Sequence, residues 1–407
     1  MRQEQTEGRQ VDAVTTESKQ PAEIRSRWGW VEPSVWSDRM LTALENGVKG
    51  GKWFSLIDKV YSPANLQSAW RRVASNRGAP GVDRVSVSDY ARHLEHNTER
   101  LGDALRSGTY EPLPNRRKWI GKPGRKEKRP LGIPAVRDRH AQCALKQVIE
   151  PIFERDFAEH SYGFRPGRGC KDALRAVEAA LDEGWTYVID ADLKSYFDTI
   201  PWSRLLARVS EKISDSGVLS LIDKFLHQEV MDGLSSWTPQ TGTPQGAVIS
   251  PLLSNVYLDP LDHLMAGHGW RMVRYADDFV ILCRTAEDSE AAMAVLREWV
   301  ATNGLTLHPD KTRQLDVRDP GQGFDFLGYH FQFVPRSGRM RRWPAVKSLH
   351  KLKDTLRSKT HRCNGKGMPE IVADINATLR GWFEYFKHSY VTTFPPLDSW
   401  IRMRLRS

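Results

Sequence analysis

Arg274-Tyr275-Ala276-Asp277-Asp278-Phe279-Val280-Ile281-Leu282 sets two adjacent carboxylates between apolar arms. Side chains alternate faces along a strand, and Val280, Ile281 and Leu282 suit a buried sheet. Asp277 and Asp278 are therefore expected at the turn of a β-hairpin. Two acids so close repel: at ~4 Å the repulsion is roughly 4 kcal/mol with an effective dielectric of about 20, so the arrangement requires a cation. A hard, oxygen-seeking divalent ion such as Mg2+ meets that need. One carboxylate pair cannot hold two ions, and Trp185-Thr186-Tyr187-Val188-Ile189-Asp190-Ala191-Asp192 offers a third acid at the end of a β-branched and aromatic run. Two ions about 3.5–4 Å apart can activate a hydroxyl and stabilise a leaving pyrophosphate, and Asp192, Asp277 and Asp278 form the minimal set for holding them. The alternative is two unrelated Asp-rich turns.

Asp192-Leu193-Lys194-Ser195-Tyr196-Phe197-Asp198, Thr243-Pro244-Gln245-Gly246-Ala247-Val248-Ile249-Ser250-Pro251 and Tyr275-Ala276-Asp277-Asp278 resemble three successive reverse transcriptase motifs in order and spacing. Four further stretches narrow the resemblance to bacterial group II intron reverse transcriptase/maturases: Arg129-Pro130-Leu131-Gly132-Ile133-Pro134, Ser161-Tyr162-Gly163-Phe164-Arg165-Pro166-Gly167-Arg168, Phe326-Leu327-Gly328-Tyr329 and Leu379-Arg380-Gly381-Trp382-Phe383. It runs from Trp53 to the C-terminus. The resemblance implies an α+β right-hand polymerase, with fingers and palm built on antiparallel sheet and an α-helical thumb/maturase domain after them. It also implies RNA-directed DNA synthesis with two Mg2+ ions, on an RNA template or intron RNA, from a DNA or RNA primer, with deoxynucleoside triphosphates. Help with intron splicing is implied as well. Two other readings stay open: a non-catalytic intron-folding maturase, and a domesticated or defence-associated reverse transcriptase.

By the same likeness Lys122 and Arg129 grip the incoming triphosphate, within a segment from Asn115 to Arg129 that carries eight Lys/Arg and one Glu. The other cations there (Arg116, Arg117, Lys118, Arg125, Lys126 and Lys128) are template contacts or plain solvated charge. Phe197 stands where reverse transcriptases place a ring under the sugar, which would exclude a 2′-hydroxyl. Gln245 would contact the nascent base pair, and Gly246 lets backbone approach closely, since glycine lacks a Cβ. Lys311 resembles a general acid near the leaving pyrophosphate, or is a surface lysine. Arg165 and Arg168, with Tyr162 and Phe164 in a glycine-broken loop, are expected to touch the template. Arg380 falls on the polar side of a thumb helix whose Ile371, Ile375, Leu379, Trp382 and Phe386 keep helical spacing.

Among 407 residues the net charge is +10, yet residues 336–407 hold 16 Lys/Arg against five Asp/Glu, leaving 44 basic against 45 acidic in the rest. A basic module on a balanced body reads as a polyanion clamp. The four cysteines lie apart with no zinc spacing, so a reducing cytoplasm is expected. No apolar run of about 18 residues points to a membrane. The expected divisions are a disordered tail over 1–27, a helical extension over 28–109, fingers over 110–184 with a helical part at 203–242, a palm over 185–334 and the basic helical thumb over 335–407. The sequence ends at Arg402-Met403-Arg404-Leu405-Arg406-Ser407, where similar proteins continue into a DNA-binding segment. It carries no His-Asn-His endonuclease, so target cleavage is not expected of it.

Overall fold

The run Phe279–Cys283 is apolar throughout because both faces of its strand are covered. The computed structural model describes residues 21–121, 128–361 and 365–406. Its central sheet is antiparallel and four-stranded, in the spatial order Arg271–Tyr275, Asp278–Cys283, Tyr187–Asp192, Arg313–Asp316. Ile189, Ala191, Phe279 and Ile281 belong to a core shared with the helices Val136–Glu154, Ser250–Gly267 and Ala286–Thr302. Val188, Val280 and Leu282 face the opposite way, into a second core with the helix Cys170–Asp182 and with Phe324, Phe326, Tyr329 and Phe331. Period-two alternation into two separate cores gives the continuous apolar run of a doubly covered sheet.

Three further modules surround this palm. Asn115–Gly121 and Lys128–Ile133 form an antiparallel hairpin, extended by a parallel pairing of Asn115–Gly121 with Val230–Asp232 and then by Ser235–Trp237. The last two strands correct the expectation of a purely helical 203–242, where the helices are Trp202–Ser210 and Ser216–Leu226. A three-stranded sheet joins Gly323–Phe326, Tyr329–Val334 and Arg339–Pro344, so strand structure continues past residue 335, where only helix was expected. Beyond it come the helices Val346–Lys359, Met368–Phe386 and Phe394–Arg406, clustered around Leu352, Leu356, Ile375 and Leu397. No described helix is long and apolar enough to cross a membrane.

The N-terminal helices follow their caps. Ser62 accepts the Asn65 N–H ahead of Pro63, which starts a helix to Ser75; Ser86 and Asp89 exchange bonds in a capping box. After Ser86 the chain forms two helices, Val87–Arg92 and Leu94–Ser107, split at His93 and stopped by Gly108 at φ +74°. Pro21–Arg27 is helical with Ile24 buried, which corrects the expected boundary of the tail at 27; residues 1–20 of that tail lie outside the described residues.

Candidate active site

The register of the central sheet sets Asp192 directly opposite Asp278, and Tyr275 opposite Asp278 on the other side. Asp278 therefore opens its strand, with Asp277 in the two-residue turn before it, and the three carboxylates expected from sequence meet at one end of the sheet. Asp190, two residues before Asp192, shares its face and pairs with Arg313 at 3.1 Å.

The turn is held from below by an ion pair whose partners the sequence reading did not join. Arg274 is fully buried, at 0% exposure. Its guanidinium donates to both Asp262 oxygens at 2.9 and 3.0 Å through Nε, to Asn255 Oδ1 at 2.8 Å and to the Ala276 carbonyl at 3.0 Å. Ala276 has φ +61°, a left-handed conformation that costs a non-glycine residue roughly 1–2 kcal/mol. The Arg274 bond to its carbonyl is one restraint that keeps it there. Gly163 is another, because a Cβ on it would lie 2.2 Å from the Ala276 nitrogen, and its carbonyl accepts from Asn255 Nδ2 at 2.8 Å. A signal existed: Asn255 and Asp262 are seven apart on one helix, hence on one face, and an arginine after Met272 and Val273 in a buried strand needs a partner.

The Gly163 loop thus supports the turn. Arg165, expected at the template, is instead buried. It is bound to Glu154 at 2.8 Å and to the Ala158 and Ser161 carbonyls at 2.6 and 2.8 Å. Arg168 is half-buried, with its guanidinium 5.6 Å from the Tyr162 ring centroid and donating to the Glu159 carbonyl. Phe164 is exposed, edge-on to Phe197 at 6.5 Å.

Near the turn lie the residues that the resemblance assigned to the nucleotide. Lys311 Nζ meets Asp192 Oδ2 at 2.5 Å, on a segment fixed by the His308 N–H bond to the Asp192 carbonyl at 2.7 Å. Arg129 Nε donates to Gln245 Oε1 at 2.7 Å, and Gln245 Nε2 donates to both Asp198 oxygens at 3.2 Å. Asp198 therefore fixes which way the Gln245 amide points. Gly246 has φ +108°, and a Cβ there would lie 2.3 Å from the Gly132 carbonyl oxygen, so this position requires glycine. Phe197 is 7% exposed and packs against Tyr196 at 5.4 Å. Lys122 lies outside the described residues. Arg380 is exposed on the helix Met368–Phe386, outside this network.

Burial pushes the Asp278 carboxyl up to about 7, helped by the charges of Asp190 and Asp277 and opposed by the Leu327 backbone N–H. Asp277 is raised by burial and by Asp192, against the pull of Arg129 and Lys311. Leu327 itself sits at φ +47°, with its carbonyl accepting the Tyr385 hydroxyl at 2.8 Å. A cluster of hard oxygen donors that resist ionising together fits a divalent cation of the Mg2+ kind. Among the described residues no three His, Cys, Asp or Glu side chains are gathered into a preformed cage, and Asp192 carries the Lys311 ammonium instead.

The sequence matches the family described as reverse transcriptase (RNA-dependent DNA polymerase) over residues 120–331, and the group II intron maturase-specific domain over residues 349–407. Protein YkfC of Escherichia coli (strain K12) is 36% identical over 331 residues, covering 70% of this chain and 85% of that protein. Group II intron-encoded protein LtrA of Lactococcus lactis subsp. cremoris is 35% identical over 196 residues, covering 48% of this chain and 32% of LtrA. A chain of a partial Cas6-RT-Cas1-Cas2 complex is similar at a TM-score of 0.40 and 25% identity, over 61% of this chain and 41% of that one. The three sheet-end carboxylates fall inside the first matched region and the basic C-terminal helices inside the second, and the chain belongs to the reverse transcriptase family, in its group II intron maturase form.

Proposed function

We propose that this chain copies RNA into DNA by nucleotidyl transfer with two Mg2+ ions held by Asp192, Asp277 and Asp278, and that its basic helical domain binds intron RNA during splicing. The observation that carries the reading is the strand register that pairs Asp192 with Asp278 beside the Asp277 turn. When bound, the ions would supply charge to activate a primer 3′-hydroxyl and to neutralise the departing pyrophosphate.

The remaining work falls to this chain's side chains. Arg129, with Lys122, binds the triphosphate of a deoxynucleotide, for which a guanidinium offers a planar fork and an ammonium a point charge. The Asp198–Gln245–Arg129 relay holds an amide in one orientation against the forming base pair. Phe197, braced by Tyr196, bars a 2′-hydroxyl. Lys311, whose ammonium is paired with Asp192, would protonate the leaving pyrophosphate. Free thiols at Cys143, Cys170 and Cys283 support a reducing cytoplasm as its location.

Primer extension on an RNA template with dNTPs and Mg2+ tests the reading. Asp277→Asn abolishes cDNA synthesis while RNA binding survives; extension by that variant at the wild-type rate would refute the assignment.

A further inference from the structure

Arg117 sits between two indoles, its guanidinium carbon 4.4 Å from the Trp237 ring centroid and 5.3 Å from that of Trp119. Both rings are open to solvent, Trp119 at 44% exposure and Trp237 at 36%. The pairings Trp119 with Pro130, Arg117 with Gly132, Asn115 with Val230 and Val230 with Trp237 put all three on one face of the fingers sheet. That face continues into a cavity of about 220 Å³ bounded by Arg117, Trp237, Gly132, Phe197, Asp198 and Gln245. None of the three catalytic carboxylates lines it.

We propose that this face is a stacking site for an unpaired base of the template strand as it approaches the reaction site. The inference rests on the copying function proposed above and names where the strand is held before it is copied. Large rings exposed beside a cation are a poor use of a water-facing strand unless something flat covers them, and every nucleobase has a face that stacks on indole or guanidinium. The cavity is smaller than the ~300–1,000 Å³ pockets of drug-sized ligands, room for one base rather than a nucleoside triphosphate. By the same alternation Arg117 and Lys128 share this face of the hairpin while Arg116, Lys118 and Arg129 point to the other, so the phosphates flanking such a base meet two cations there. The Trp119 indole N–H is already bound to Asp232 at 3.0 Å, which fixes the ring without using its faces. A merely structural role, in which Arg117 pins the edge strand Ser235–Trp237, predicts no dependence on a base.

The test uses the full chain and DNA primers annealed to RNA templates. The ends are blunt, or extended by one to three template nucleotides, with the first unpaired position normal, abasic or 2-aminopurine. The wild type binds the normal overhang roughly 10-fold more tightly than the abasic or blunt form. In Trp237→Ala and Trp119→Ala that ratio falls towards one and the quenching of 2-aminopurine is lost, while Trp237→Phe recovers most of both. Equal binding of normal and abasic overhangs by the wild type, or an unchanged ratio in both alanine variants, overturns the proposal. If the wild type extends primers but shows no overhang preference, the stacking site alone is refuted. A wild type that extends no primer refutes the copying function and this site with it.

Discussion

Replacing Asp278 by Asn should make the metal-free protein more stable, and only at neutral to alkaline pH. The Asp278 carboxyl is pushed up to about 7, first by burial and then by the neighbouring charges of Asp190 and Asp277. A carboxyl that holds its proton more tightly folded than unfolded penalises folding once it must ionise. The penalty is absent below about pH 4, grows between about pH 4 and 7, and is complete above that window. From an ordinary value of about 3.9 to about 7, at about 1.4 kcal/mol per pH unit, the ceiling is about 4 kcal/mol. Coulomb's law gives the same order, roughly 4 kcal/mol for two charges ~4 Å apart at an effective dielectric of about 20. Asn keeps the shape and an oxygen for the Leu327 N–H but carries no charge. Urea denaturation in EDTA should therefore show Asp278→Asn more stable than wild type by about 2–4 kcal/mol at pH 8, with the advantage shrinking to about 1 kcal/mol or less near pH 4.5. Adding Mg2+ should close the gap by stabilising the wild type selectively. A gain of equal size at both pH values would mean improved packing, and no gain at pH 8 would mean that burial and the neighbouring acids do not penalise this carboxylate as its placement implies.

Arg274→Lys should destabilise the fold by about 3–5 kcal/mol, because one ammonium cannot serve Asp262, Asn255 and the Ala276 carbonyl together; a melting temperature within a degree of wild type would argue against it. Gly163→Ala should leave the fold standing but cut primer extension at least tenfold, because its Cβ would collide with the Ala276 nitrogen and displace Asp277. Circular dichroism and extension rates separate the two effects, and full activity would show that the turn tolerates the shift. Arg165→Ala should cost about 3–5 kcal/mol of stability, since it strands Glu154. The slope of template affinity against salt should not change; a slope lowered by about one would restore Arg165 to the template.

What the sequence made legible here was local. The doubly apolar run Val280 to Leu282 announced a covered strand, and the Asp pair announced its turn. The hairpin at Val230–Trp237 carried a turn signal, Gly233, but its strands are three residues long, too short for alternation to register. Arg165 was misread because residue type alone assigns an arginine in a glycine-rich loop to solvent or nucleic acid. Its partner Glu154 ends a different element, and only the folded chain brings them together. Register was beyond reach for the same reason: Asp192 and Asp278 are opposite because of which strands are neighbours in space, a relation to which the motifs contribute order but not distance.

Placing charge at a sheet end resolves one conflict and creates another. The interior of a sheet covered on both faces cannot take three carboxylates, so they gather where the strands stop, and there nothing in the sheet itself fixes their side chains. Distant elements supply the restraint. Arg274 and Gly163 hold the Asp277 turn from one side. On the other, Leu327 presents its N–H to Asp278 from a backbone at φ +47°, and the Tyr385 hydroxyl from the thumb helix holds its carbonyl. A left-handed leucine costs roughly 1–2 kcal/mol and relaxes when released. The orientation of the Asp278 carboxylate is thus tied to the seating of the thumb. Tyr385→Phe removes a single hydroxyl from that tie and should lower the extension rate more than it lowers the melting temperature, a disproportion that a hydroxyl serving stability alone would not produce.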